Sequence, residues 1–139
     1  MSTTGTVEPD PSFMEPQSVL QTAVRAAGND TTLTYVWWNY NRLFSFMVFL
    51  HFADFQNTQI RQFDMYFNGN RLNEKPYSPP YLAASCVYSS GWYRTGDAKY
   101  NITLKATAAS ALPPMLNGIE IYTRINLDSQ MTFPKDCEL

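Results

Sequence analysis

The sequence predicts one all-β domain, an antiparallel sandwich of about eight strands. Its 139 residues are the length of a single domain. Most apolar stretches alternate with polar residues at a period of two, which is typical of strands buried on one face. Turns rich in glycine, proline and asparagine separate these stretches at the spacing found in β-sandwiches. No stretch combines helical periodicity with helix caps, so the sequence predicts no helix.

The central strand is predicted at residues 44–55, which read FSFMVFLHFADF and form the longest apolar run of the chain. The even positions from 44 to 52 make an unbroken apolar face, and the odd positions are mostly apolar. A strand that is buried on one face and largely covered on the other produces this pattern. Several phenylalanines also fit a three-residue step, but the aromatic composition and the missing caps favour a strand. The run is too short to cross a membrane, which needs about 20 apolar residues.

Three regions are predicted along the chain. Residues 1–15 form an extended N-terminal segment, residues 16–126 the sandwich, and residues 127–139 a C-terminal tail without a clear period. Residues 16–27 alternate and are predicted as a strand. After a turn at Gly28-Asn29-Asp30, residues 31–38 are predicted as a second strand, because β-branched and aromatic residues favour extended backbone.

The strands beyond the central one are predicted from turn signals and alternation. Residues 63–67 lead into Asn68-Gly69, a dipeptide that favours a hairpin turn because both residues accept a positive φ. Residues 73–80, which contain three prolines, and residues 89–98 are predicted as loops. Further strands are predicted at residues 81–88, 99–106 and 119–125.

Composition excludes several classes of function. The formal net charge is -2 and the charged fraction 16%, without a basic stripe, so nucleic acid is not an expected partner. His51 is the only histidine and the two cysteines are distant, so no metal or other cofactor site is expected. No nucleophile elbow, phosphate-binding loop or paired carboxylates are present. The sequence therefore predicts a protein that is not an enzyme, and no catalytic residue is assigned.

The cysteines and two sequons bear on the compartment. Cys86 and Cys137 form one disulfide bridge or remain two free thiols. Asn29-Asp30-Thr31 and Asn101-Ile102-Thr103 are acceptor sequons for N-glycosylation, which would make Asn29 and Asn101 glycan sites of a secreted protein. The chain begins with a polar segment and not with a signal peptide. If the protein is secreted, the sequence is an excised fragment or a processed form.

Five motifs occur in an order that resembles the malectin-like domain of plant receptor-like kinase ectodomains. They are SVLQTAV at residues 18–24, FLHFADF at 49–55, FDMYFNG at 63–69, YNITL at 100–104 and LPPMLNGIEIY at 112–122. The opening STTGTV, residues 2–7, is similar to the start of the second, C-terminal half of that region. The resemblance extends to about residue 125 and is specific because all five motifs keep their order.

The resemblance implies a jelly-roll-like antiparallel β-sandwich of the malectin and galactose-binding type. It also implies an extracellular location at the cell surface, a membrane-anchored parent protein and no catalysis. Animal relatives bind glucose-containing disaccharides and N-glycans, and some plant relatives bind secreted peptides together with co-receptors. The first malectin half is missing from this sequence, so a site between the two halves would be incomplete. The sugar-binding residues of the animal relatives do not map onto numbered positions here.

The candidate binding residues are aromatic and polar side chains in predicted loops. A sugar ring can lie on an aromatic face, while its hydroxyl groups need short polar partners. The alternative is that these rings close the ends of the sandwich or covered the missing half. The candidates are Trp38 and Tyr40 in the first loop, Tyr77 and Tyr81 around the proline-rich loop, and Trp92, Tyr93, Arg94 and Asp97 in the third.

The resulting prediction is a carbohydrate-binding module that recognises cell-wall or glucose-type oligosaccharides without catalysis. The first alternative is a surface for a secreted peptide, a co-receptor or the adjacent malectin half, with no sugar affinity of its own. The second alternative is one structural half of a tandem that binds nothing by itself.

Overall fold

The computed structural model describes residues 1–127 and is built almost entirely of strands. Its one helix is a single turn near the N-terminus, and the longest strands are the central one and two others that reach eight residues. The elements are α1 (Gln17–Leu20), β1 (Val24–Arg25), β2 (Thr32–Trp38), β3 (Phe44–Phe52), β4 (Phe63–Phe67), β5 (Asn70–Arg71), β6 (Ser85–Tyr88), β7 (Lys99–Ala106), β8 (Met115–Leu116) and β9 (Gly118–Ile125).

Two antiparallel sheets face each other and form a β-sandwich, which confirms the predicted fold class. One sheet has the order β2-β7-β4-β5 and the other the order β6-β3-β9, with a short β1-β8 pair beside them. Strand β3 is the centre of its sheet, as the sequence predicts. It pairs with β9 over eight positions, from Phe44 opposite Ile125 to His51 opposite Gly118.

The core lies between the two sheets and follows the predicted alternation. The even positions of β3 and alternate positions of β4 and β7 point inward, and most of their side chains are less than 5% exposed. Removing such large apolar side chains from water is the main force that holds the two sheets together. The inward residues include Phe46, Val48, Leu50, Phe52, Phe63, Met65, Phe67, Tyr100, Ile102 and Leu104.

An aromatic cluster fills one end of this core. The Trp37 ring stacks on Phe67 and on Tyr100, with centroid distances of 5.8 and 5.4 Å and interplanar angles of 17°. Phe46 meets Tyr100 edge to face at 4.7 Å. Stacked and edge-to-face arrangements are the favoured geometries of aromatic pairs, so the cluster adds to the plain burial of its rings.

The predicted hairpin is confirmed at Asn68-Gly69. Both residues have positive φ, 47° and 77°, and they connect β4 to β5. Glycine reaches this region without steric cost and asparagine reaches it more easily than other residues. The side-chain Oδ1 of Asn68 accepts a hydrogen bond of 2.8 Å from the backbone N–H of Asn101, which fastens the turn to β7.

The prediction of one strand over residues 16–27 is wrong. The chain forms the helical turn α1 and then only the two-residue strand β1. The turn places Gln17 and Gln21 four residues apart on one side of the helix. Gln17 Oε1 accepts a hydrogen bond of 3.1 Å from the N–H of Val7, and Gln21 Nε2 donates one of 3.1 Å to the carbonyl of Gly5. These bonds to the N-terminal segment favour the helical turn over local alternation.

The strand predicted at residues 81–88 is shorter than expected. Leu82 has a φ of 48°, which interrupts the extended backbone, and β6 begins only at Ser85. Tyr81 makes a single parallel bridge to Asp54 instead. Within residues 1–127, no helix has the length and apolar character needed to cross a membrane.

Candidate functional site

Two loops meet at one end of the sandwich and form a polar cleft. The cleft has a volume of about 220 Å³ and is lined by residues 39–42 from one loop and residues 95–98 from the other. Two of the predicted binding residues, Tyr40 and Asp97, line it. An adjoining cleft of about 450 Å³ shares Arg42, Thr95 and Gly96 with the first and adds the predicted residue Arg94. Residues far apart in sequence therefore share one surface.

The first loop of the cleft is shaped by asparagine turns. Asn39 Oδ1 accepts a hydrogen bond of 2.9 Å from the N–H of Asn41, and Asn41 Oδ1 accepts one of 3.0 Å from the N–H of Leu43. Such side-chain turns stabilise a tight loop without a regular strand. Because the oxygens serve the backbone, the amide groups of both asparagines are available as donors to a ligand.

Hydrogen bonds between the loops hold the cleft together. The N–H of Asn39 donates to the carbonyl of Ala98 at 2.9 Å, and Arg94 Nη1 donates to the carbonyl of Arg42 at 2.7 Å. Asp97 Oδ1 accepts a bond of 3.3 Å from the N–H of Lys99, which leaves its second oxygen for a ligand hydroxyl. The cleft thus offers amide donors, a carboxylate acceptor and guanidinium groups in a preformed arrangement.

The aromatic side chains beside the cleft differ in their exposure. Tyr40 has an exposed fraction of 80%, so its ring faces are open to a ligand. Trp38 is the last residue of β2, directly before the first loop, and it is 56% exposed. A free ring face next to short polar groups is the arrangement that the sequence predicts for a sugar site.

Tyr77 and Tyr81 lie outside the cleft. The Tyr77 ring packs on Phe52 and Phe63, at centroid distances of 5.0 and 5.6 Å, so it belongs to the edge of the core. Burial raises the pKa of Tyr77 to about 12, because the phenolate is poorly solvated there. Tyr81 is exposed next to the proline-rich loop. The structure therefore does not bring this pair together with the other candidates.

The rings of Trp92 and Tyr93 pack against other residues of the domain, unlike the open ring of Tyr40. Tyr93 bridges to Phe46 through backbone bonds, and its ring packs edge to face on Phe67 at 4.9 Å. Trp92 lies beneath the Arg124 guanidinium, whose central carbon is 5.1 Å from the ring centroid. A cation over a tryptophan face is attractive but occupies that face. Both rings are thus engaged within the domain.

An aromatic surface that the sequence analysis missed covers the outer side of the β6-β3-β9 sheet. We call it the aromatic face and define it by Phe13, Phe49, Tyr88 and Tyr122. Phe49 stacks on Tyr88 at 5.3 Å, meets Tyr122 at 5.1 Å and meets Phe13 at 5.7 Å. Tyr88 and Tyr122 are about half exposed. The apolar odd positions of β3 were the signal for this surface, since they indicated a second covered face.

His51 lies at the end of the aromatic face and is tied to two carboxylates. Its Nδ1 is 2.7 Å from Glu15 Oε1, and its Nε2 is 3.0 Å from Glu120 Oε2. Glu15 also accepts a hydrogen bond of 3.1 Å from the N–H of Asp10. Because His51 and Glu15 are both buried, these contacts give the histidine a structural role: it fastens the N-terminal segment to β3.

The acidic groups near His51 also affect Cys86, which pairs with His51 across β6 and β3. Burial raises the pKa of the Cys86 thiol to about 12, and the charges of Glu15, Asp10 and Glu120 act in the same direction. The thiol is therefore protonated at neutral pH. Its proposed bridge partner, Cys137, lies outside the described residues.

The two sequons occupy different environments. Asn29 is exposed in the turn before β2, where a glycan has free space. Asn101 is half-buried in β7, opposite Val36, so its side chain is less accessible to a glycan than that of Asn29. Within residues 1–127, no group of three histidine, cysteine or acidic side chains is arranged to hold a metal ion.

The chain is similar to a known protein family and to individual plant proteins. The family profile of the malectin-like domain matches residues 1–124. A probable LRR receptor-like serine/threonine-protein kinase of Arabidopsis thaliana is 38% identical over 112 residues, which cover 78% of this chain and 13% of the kinase. A second such kinase of the same plant is 31% identical over 132 residues, 91% of this chain and 15% of that protein. The chain thus spans less than a sixth of either relative.

Solved structures share the fold. The crystal structure of the plant receptor-like kinase ANX2 superposes with a TM-score of 0.71 at 18% identity, covering 92% of this chain and 38% of that one. The extracellular domain of ANXUR2 from Arabidopsis thaliana gives a TM-score of 0.70 at 17% identity, covering 92% and 39%. At this identity the likeness establishes the architecture of the sandwich.

Proposed function

The chain belongs to the malectin-like domain family, and from this premise we propose that it is a non-catalytic carbohydrate-binding module of an extracellular receptor. The proposed site is the cleft between residues 39–42 and 95–98. The observation that carries the proposal is the presence of an open tyrosine ring, Tyr40, beside free amide and carboxylate groups. The ligands are cell-wall or glucose-type oligosaccharides.

The size of the cleft supports a short ligand. Its volume of about 220 Å³ is smaller than the ~300–1,000 Å³ of pockets for drug-sized molecules. The site therefore suits one sugar ring, with further rings running toward Arg42 and Arg94 in the adjoining cleft. Two guanidinium groups on that side would favour an acidic sugar in the second position, since arginine binds carboxylates through paired hydrogen bonds.

The relatives of the chain support an extracellular location for the proposed site. The relatives that the chain matches are receptor-like kinases, and the chain corresponds to a small part of each. We infer that the module lies outside the cell, in the ectodomain of a membrane-anchored parent protein. A co-receptor or the adjacent malectin half would then be its neighbour.

The carbohydrate proposal is tested by titrating the protein with glucose disaccharides and with neutral and acidic cell-wall oligosaccharides. We expect saturable binding of one class by calorimetry and by tryptophan fluorescence. Tyr40→Ala and Asp97→Ala are each expected to weaken it roughly tenfold or more, because a lost ring contact or charged hydrogen bond is worth about 1.4 kcal/mol or more. Tyr81→Ala is the matched control, an exposed tyrosine outside the cleft that should leave affinity unchanged.

Two outcomes would contradict the carbohydrate proposal. The first is a flat response to every sugar at millimolar concentration. The second is an equal loss of affinity in Tyr81→Ala and Tyr40→Ala, which would separate the binding from the cleft. Melting curves of the three variants establish that each one is folded.

The aromatic face favours a second candidate function, recognition of a peptide or protein. Its rings cover one another, with Phe49 stacked on Tyr88, so few free ring faces remain for a sugar. Exposed tyrosine edges and hydroxyl groups beside an apolar centre are typical of protein interfaces. Glu120 and Arg124 on the adjacent strand β9 would set the orientation of the partner through their opposite charges.

The peptide proposal is tested by capture from extracellular fluid with immobilised protein. We expect a secreted peptide or co-receptor that the unaltered protein retains and that the Tyr88→Ala, Tyr122→Ala double variant loses. Tyr81→Ala again serves as the control. Retention of the same partner by the double variant would show that the aromatic face does not bind it.

A further inference from the structure

Strand β2 is an open edge of its sheet. The sheet order β2-β7-β4-β5 places β7 on one side of β2 and no strand on the other within residues 1–127. β2 is seven residues long, Thr32–Trp38, and consists of the uncharged sequence TLTYVWW. β-branched and aromatic residues of this kind have high strand propensity. An unpaired strand of this length is a ready template for another strand.

The register identifies the backbone groups that face the open side. The N–H of Ala106 donates to the carbonyl of Thr31, and the N–H of Asn39 donates to the carbonyl of Ala98. In an antiparallel pair, every second residue exchanges hydrogen bonds with its partner, so the odd positions of β2 bond to β7. The even positions, Thr32, Thr34, Val36 and Trp38, therefore direct their N–H and C=O groups away from the sheet.

The other outer strands carry features that discourage pairing, and β2 carries none of them. β5 has only two residues and ends in Arg71, and β6 has four residues. β9 is long but bears the charges of Glu120 and Arg124. Short length and charged side chains are the common means by which proteins protect sheet edges. Proline, charge and bulges are all missing from β2.

From this edge we propose that β2 pairs antiparallel with β2 of a second copy of the chain. The two-fold axis passes between the Tyr35 residues of the two copies. Thr34 then lies opposite the second copy's Val36, and Thr32 opposite its Trp38. In this register all four outward-facing residues meet outward-facing residues, and each such pair exchanges two hydrogen bonds. The two sheets join into one continuous sheet across a closed, symmetric interface.

A second copy fits this edge better than a free extended peptide. β2 is already an ordered strand, so neither copy loses the conformational freedom that a flexible peptide would lose on binding. The strand is uncharged, so two copies meet without repulsion. Tyr35 points to the core side yet remains 45% exposed, because the core is open along this edge. The partner's Tyr35 would cover it.

The strength of the pairing follows from its size. A single pair of seven-residue strands buries less than the ~1,200 Å² that marks stable interfaces, so the dimer is weak and reversible. Thr34 and Val36 do not line the sugar cleft, although Trp38 at the end of β2 lies beside it. Loss of dimer formation in variants of Thr34 and Val36, and loss of sugar binding in variants of Tyr40 and Asp97, are therefore separate results.

Sedimentation equilibrium over micromolar to millimolar protein tests the proposal. We expect a reversible monomer–dimer equilibrium. Thr34→Lys should weaken it roughly tenfold or more, since the two introduced lysines, which carry like charges, would be diagonal neighbours ~7–8 Å apart across the axis. Thr123→Lys is the matched control, an exposed threonine on the other long outer strand, β9, and it should leave the equilibrium unchanged. A monomer at every concentration, or equal weakening by both variants, overturns the proposal.

Two further variants tie the result to the register. Val36→Pro removes an outward N–H without touching the ladder to β7, so the variant should fold and remain monomeric. Tyr35→Cys places two thiols opposite each other at the axis, within the range that a disulfide bridges. We expect mild oxidation to link Tyr35→Cys copies through that residue, as read by mass spectrometry of the joined peptide. Thr123→Cys should not form this link. A dimer retained by folded Val36→Pro, or no link through residue 35, overturns the pairing.

Discussion

Replacing Asp54 with alanine is expected to lower the free energy of unfolding by about 3–5 kcal/mol, because it leaves a buried arginine without its counter-charge. Asp54 Oδ2 lies 2.8 Å from Arg61 Nε, and both side chains are almost fully buried. Arg61 also donates to the carbonyl of Pro113 and so connects three segments of the chain. Asp54 further accepts a hydrogen bond of 2.8 Å from the N–H of Phe55.

The measurement is urea unfolding followed by far-ultraviolet circular dichroism. Asp64→Ala is the control, because Asp64 pairs with Arg71 at the surface and exposed pairs contribute about 0–1 kcal/mol. Equal destabilisation by the two variants would contradict the assignment of Asp54 and Arg61 as a buried structural pair. Such a result would mean that water reaches Arg61 and solvates it.

Replacing Trp37 with alanine is expected to lower the free energy of unfolding by about 3–5 kcal/mol, since it empties the centre of the aromatic cluster. The ring lies parallel to both Phe67 and Tyr100 and edge-on to Phe46. Its removal leaves a cavity that these rigid rings cannot fill by small movements. Because the half-buried indole packs on these rings, its loss should also remove a component of the fluorescence that changes on unfolding.

The adjacent residue Trp38 provides the control for this experiment. Its side chain is on the opposite face of β2 and is largely exposed, so Trp38→Ala should change stability by about 0.5 kcal/mol or less. Thermal and urea unfolding of the two variants give the comparison. If Trp38→Ala destabilises the protein as much as Trp37→Ala, the two faces of β2 have been assigned the wrong way round.

The parts of the fold that the sequence predicted are those that local alternation determines. In β3 and β7 the alternation of apolar and polar residues repeats several times in succession. The buried positions of both strands are those that this alternation indicates. The hairpin at Asn68-Gly69 could be predicted because the turn itself needs positive φ values, which these two residue types adopt readily. In each case the information lies within a few neighbouring residues.

The parts that the sequence did not predict depend on contacts between distant residues. The helical turn α1 is selected by hydrogen bonds to the N-terminal segment, which alternation within residues 16–27 cannot reveal. His51 finds carboxylates 36 and 69 residues away. The candidate site shows the same division, since loop composition indicated Tyr40 and Asp97 but could not indicate that the two loops meet. Tyr77 has the same composition signal and packs on the core.

The pairing of β3 with β9 has a consequence for synthesis of the chain on the ribosome. His51 can pair with Gly118 only after a further 67 residues have been synthesised, and Phe44 can pair with Ile125 only after a further 81. At roughly 5–20 residues per second, the most hydrophobic segment of the protein stays without its longest partner for about 3–16 s. During that time FSFMVFLHF is a nascent strand with high β-propensity and no charge, a composition that promotes aggregation. The register therefore leaves this segment open to aggregation until translation reaches β9.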